Sequence, residues 1–102
     1  MKLESKVTGS VVVLSIYESI TSLGESLEVK NAIEKLISTY PEAELHVNVH
    51  DALIMPSSVI GTMLKISEIN KVNLSLFLAK DELMDNMKKM KLDEILNIKK
   101  LY

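Results

Sequence analysis

The chain has 102 residues, 47% hydrophobic and 25% charged, with a formal net charge of −2; this is the size and balance of one globular domain with one modest core. Aromatic residues make up only 4% and Trp is absent, so aliphatic side chains and six Met must fill that core. No Cys is present and all 12 basic residues are Lys, which excludes a disulfide framework, a thiol nucleophile and the planar fork that grips phosphate bidentately, while interspersed acids and lysines speak against a nucleic-acid surface.

Taken in chain order, Leu3 to Val7 and Val11 to Tyr17 are runs rich in apolar and β-branched residues. Thr8-Gly9-Ser10 separates them, and Gly-Ser makes a usable tight turn, so the pattern predicts a hairpin. Ser22-Leu23-Gly24-Glu25 is a capping-box pattern, in which Ser and Glu satisfy each other's free helix-end amides. Behind it Val29, Ile33, Leu36, Ile37 and Tyr40 recur at helical spacing, and Pro41 marks the exit.

Leu45 to His50 alternates strictly, with aliphatics on one face and His46, Asn48 and His50 on the other; Val72 to Leu78 does the same, with Phe77 the bulky exception. Strands with one apolar and one mostly polar face predict a sheet covered by helices on one side and at least partly open on the other. Between these strands Val59, Ile60, Met63, Ile66 and Ile69 predict a second helix. Asp81 is placed to cap a third, with Leu83, Met84, Met87 and Met90 as its buried stripe and Lys88, Lys89 and Lys91 near its negative end. Leu92 to Leu96 predicts a further turn and Ile98 to Tyr102 a last short strand. The expected order is β-β-α-β-α-β-α-(β) in a single domain spanning residues 1–102. No segment has the roughly 20 consecutive apolar residues of a membrane span or the apolar run of a signal peptide, so the expected location is the cytoplasm.

The stretch Met55-Pro56-Ser57-Ser58-Val59-Ile60-Gly61 follows an aliphatic strand and opens an amphipathic helix. It resembles the loop of the STAS domain family, which reads roughly aliphatic-Asp-Ser-Ser-Gly-aliphatic-Gly. That family includes bacterial anti-sigma factor antagonists and the cytoplasmic tails of sulfate transporters. The order of elements extends the resemblance over most of the chain: the N-terminal hairpin, the helix ending near Tyr40, the strands Leu45 to Val49 and Val72 to Leu78, and the final helix with its Leu92-Asp93 pair. The resemblance implies an α/β fold with a mixed four- to five-stranded sheet and helices mainly on one face.

It also implies a role in transcription regulation through protein–protein interaction. In partner-switching members the first serine of the pair is phosphorylated, which carries the phosphoacceptor role onto Ser57. The partner-binding face would then comprise Pro56, Ser57, Ser58, Ile60, Gly61 and Lys65, docking on an anti-sigma factor or serine kinase. A phosphate at a helix start meets unpaired amides and the positive end of the helix, and its charge of about −1.5 to −2 can repel an acidic partner. Three positions depart from the family pattern: Pro56 replaces the usual acid, Val59 the usual glycine, and Asn48 an aspartate near the end of the preceding strand. Some STAS domains are unphosphorylated accessory subunits of membrane transport complexes, and this is the alternative the resemblance offers. A small-ligand sensor using the loop from Asp51 to Ser58 is a third.

Other chemistry finds little support. His46 and His50 share a strand face but lie about 13 Å apart, too far to bind one metal ion. Met84, Met87 and Met90 could form an adaptable binding surface, but in a chain poor in aromatics helical spacing favours core filling. Neither a Gly-x-Ser-x-Gly elbow nor a Gly-rich phosphate loop occurs, so neither an enzyme nor a cofactor is expected.

Overall fold

The computed structural model describes residues 1–102. A hairpin of β1 (Leu3–Thr8) and β2 (Val11–Ile16) leads into α1 (Leu23–Thr39), followed by β3 (Glu44–Val49), α2 (Ser57–Glu68), β4 (Leu74–Leu78), α3 (Asp81–Lys89), a short 3-10 turn (Leu92–Glu94) and β5 (Asn97–Lys100). The strands form one mixed sheet in the order β1-β2-β3-β4-β5; β1 is antiparallel to β2 and every other pair is parallel. Because each βαβ crossover adds its strand on the same side of the last, crossovers of the usual right hand place all three helices on one face.

Strand alternation matches that arrangement. Val12, Leu14 and Ile16 of β2, Leu45, Val47 and Val49 of β3, and Leu74, Leu76 and Leu78 of β4 are buried together with Val29, Ile33, Met63, Ile66, Leu83 and Met87 from the helices. On the other face Val13, Ser15, His46, Asn48 and Phe77 are half-buried and no helix covers them. The hairpin turns on Gly9, whose φ of +60° is open to glycine at little cost. With Ser10 at negative φ, this matches a II′ turn, which has Gly at its first central position.

Several boundaries differ from expectation for local reasons. β4 starts at Leu74 rather than Val72, because Lys71 adopts φ 59° and the Val72 N–H turns back to the Ile66 carbonyl. The last strand is Asn97–Lys100 instead of Ile98 to Tyr102. Asp81 does not cap α3: Lys80 holds the cap position and Asp81 is the first helical residue. Its carboxylate accepts a hydrogen bond from Lys100 Nζ of β5, which also donates to the Ala79 carbonyl. Met90 lies beyond the end of α3 with 54% of its surface exposed, so the buried methionine stripe reduces to Met87 with Met84 half-buried.

Candidate functional site

The loop from β3 to α2 is anchored at both ends. Ala52 and Met55 are buried, the Leu53 N–H donates to Ser19 Oγ at 3.2 Å, and Asp51 pairs with Lys80 at 3.3 Å. Leu53 and Ile54 project outward between these anchors. Pro56 then takes the cap position with φ −63° and ψ 147°, a conformation its ring pre-forms, and its carbonyl accepts the N–H groups of Val59 and Ile60, each at 3.1 Å. The chain thus enters α2 at Ser57 with a proline setting the entry angle.

Ser57 and Ser58 are both exposed. Neither serves as a side-chain cap, since α2 has no side-chain cap hydrogen bond. A serine preceding a helix commonly spends its hydroxyl on a free amide; here Pro56 occupies that position and the Ser57 hydroxyl is uncommitted. The first turn of α2 also carries no acid. The Ser57 and Ser58 amides point out of the helix start without intrahelical partners, as the first amides of any helix do.

Along α2, Ser57, Gly61 and Lys65 are exposed and fall at i, i+4 and i+8, which sets them on one ridge about 12 Å long. A methyl built on Gly61 meets nothing within 4 Å, so the glycine leaves a flat, unobstructed spot between the serine and the lysine. Ile60 departs from expectation: it is 8% exposed and belongs to the core cluster, because it sits on the same helical stripe as Val59, Met63 and Ile66. Thr62, also buried, donates its hydroxyl to the Ser58 carbonyl at 3.0 Å. No cleft joins Ser58, Ile60, Gly61 and Lys65. Lys65 borders a cleft between α1 and α2 with Glu34, Ile37 and Ser38, while a separate cleft runs between Ile54 and Met55 of the loop before α2 and Leu83 and Met87 of α3, with Met90 just past the end of that helix.

Asn48 lies on the open sheet face, between Ser15 and Phe77 in register, and is separated from the Ser57 loop by the sheet itself. The same face holds contacts that spacing alone does not reveal. Tyr17 stacks on His50 at 4.5 Å between ring centres, and His46 tilts against Phe77 at 5.1 Å while its Nε2 meets Glu44 Oε2 at 2.9 Å. The two histidines therefore have separate partners, and no three His, Asp or Glu side chains converge as a metal site. No helix is long and apolar enough to cross a membrane.

No protein-family model and no curated protein sequence matches the chain.

Proposed function

We propose that the chain is a STAS-like regulatory protein-binding module that docks through the start and outward ridge of α2, with phosphorylation of Ser57 as its switch. The carrying observation is the Ser57 hydroxyl: exposed, first in α2, and free of any capping bond because Pro56 takes the cap. A kinase can reach such a hydroxyl without unfolding the helix. The product phosphate would sit against the free amides of the first turn, where the helix dipole favours an anion even without Arg. Beside the flat surface at Gly61, the added charge alters both the shape and the electrostatics that a partner meets. An anti-sigma factor with serine-kinase activity is the partner class that this reading implies, and regulation of transcription is the role.

The alternative, a constitutive subunit of a membrane transport complex, uses the same ridge without the switch. Pro56 favours it to the extent that kinase recognition needs an acid before the serine pair. One experiment separates the two readings. Wild type, Ser57→Ala and Ser57→Glu are used as baits in the source cells, with captured proteins and Ser57 phosphorylation quantified by mass spectrometry. Retention of a serine kinase by wild type and Ser57→Ala, its loss from Ser57→Glu, and phosphate on Ser57 are the expected results. A transporter component held equally by all three baits would remove the switch.

A further inference from the structure

The two edges of the sheet are not alike. β5 is four residues long and carries Lys99 and Lys100 with no acid in the strand, a common guard against stray pairing. β1 is six residues long, most of it exposed, and reads Leu3-Glu4-Ser5-Lys6-Val7-Thr8. Its inner face is only partly covered: Leu3 packs against the core, while Leu3, Ser5 and Val7 border an open groove against Ala32, Leu36 and Tyr40 of α1 and its cap, and Val7 is 46% exposed.

The hairpin register fixes which backbone groups of β1 are free. Thr8 pairs with Val11 across a two-residue turn, which makes that pair mutually hydrogen-bonded. Alternation then turns the N–H and C=O of Lys6 and Glu4 toward β2, and those of Val7, Ser5 and Leu3 outward, away from the sheet.

We infer that β1 is a self-pairing edge, which joins a second copy of this chain antiparallel about a two-fold axis through Ser5. In that register Ser5 faces Ser5 of the copy, Leu3 faces Val7, and Glu4 faces Lys6, each pair occurring as the symmetry requires. Leu3, Ser5 and Val7 supply the outward backbone groups for the ladder. Leu3 and Val7 place their apolar side chains in the uncovered groove, and Glu4 and Lys6 form opposite-charge pairs on the open face. Neighbouring registers fail. A two-residue slip one way sets Glu4 against Glu4 and Lys2 against Lys6; a slip the other way sets Lys6 against Lys6. A one-residue slip brings inward-bonded groups to the edge. Lys6 thus repels most strands that approach β1, and the copy's own Glu4 answers it. The Tyr17 hydroxyl donates to Glu4 Oε2 at 3.1 Å and so keeps that carboxylate on the open face of the sheet.

The test is sedimentation equilibrium of the full chain up to about 1 mM, a range in which even a weak interface populates its dimer. Wild type should associate. Glu4→Lys and Lys6→Glu each oppose like charges twice per dimer and should weaken association about tenfold, given the energies of cross-strand charge pairs. The double variant Glu4→Lys/Lys6→Glu should recover wild-type association, and an equimolar mixture of the two single variants should associate more tightly than either alone. Ser5→Pro removes an outward N–H and leaves the β1–β2 ladder intact, so it should sediment as a monomer while circular dichroism shows it folded. A wild type that stays monomeric throughout, or single charge variants that associate as wild type does, would overturn the inference.

Discussion

Ser22 and Ser57 open helices in similar sequence settings and do different work. The Ser22 hydroxyl accepts the Glu25 N–H at 3.1 Å and fixes the start of α1. Ser57, one position inside α2, makes no such bond. Ser22→Ala should therefore cost about 1 kcal/mol, the usual loss for a serine cap, whereas Ser57→Ala should stay within about 0.5 kcal/mol as a surface change. Urea midpoints at unchanged m value measure both. An equal loss at the two positions would mean that Ser57 caps α2 after all. The spacing Ser22-x-x-Glu25 made the α1 cap legible in sequence, but only half of the expected box forms. The Glu25 carboxylate accepts the N–H and hydroxyl of Thr21, at 2.9 and 3.0 Å, instead of the Ser22 N–H. Thr21 offers two donors at one point, and a motif read from two positions does not weigh a third.

At the scale of the element, α2 was legible as a helix because its apolar residues recur on one stripe. Its outer face was less so. The resemblance counts Ile60 with the partner-binding residues, while its phase along the helix puts it in the core with Val59 and Met63. What remains outside is the ridge of Ser57, Gly61 and Lys65. Gly61 is the informative member: it has no positive φ and nothing within 4 Å of a built methyl, so the fold does not require a glycine there. Alanine lowers the conformational cost of a helix interior, and Gly61→Ala should raise stability by about 0.5–1 kcal/mol. If the ridge is the docking surface, the same methyl should reduce capture of the partner identified with the Ser57 baits. Greater stability together with weaker capture would mark a glycine kept for contact; greater stability with undiminished capture would move docking off this ridge.

For the whole molecule, alternation in β2, β3 and β4 was enough to predict one covered and one open face, and the consecutive crossovers explain why no helix crosses to the other side. The sequence did not display the ties between distant segments, because they depend on register. Asp81 illustrates this. Its position before an apolar helical pattern suggests a cap, yet Lys100, 19 residues later, lies beside it once β5 pairs with β4. That contact joins the final strand to α3 at the sheet edge. The Lys100 ammonium, by hydrogen bond and by charge, holds the Asp81 carboxyl below its ordinary value of 3.8. A group with a depressed folded-state pKa adds stability above its unfolded value, and that contribution disappears as pH falls through the folded one. Both side chains reach solvent, so salt screens the pair and its contribution is small. The buried residues form one cluster, which favours all-or-none unfolding and lets a local tie register in the global transition. Asp81→Asn should therefore unfold at a lower urea concentration than wild type at about pH 7, with the difference shrinking as pH falls below about 4 and vanishing once wild-type Asp81 is protonated. Added salt should narrow the gap at neutral pH. A gap that stays constant from neutral to strongly acidic pH would assign the loss to packing or hydrogen-bond geometry and leave the carboxylate's charge without a part in holding β5 to the fold.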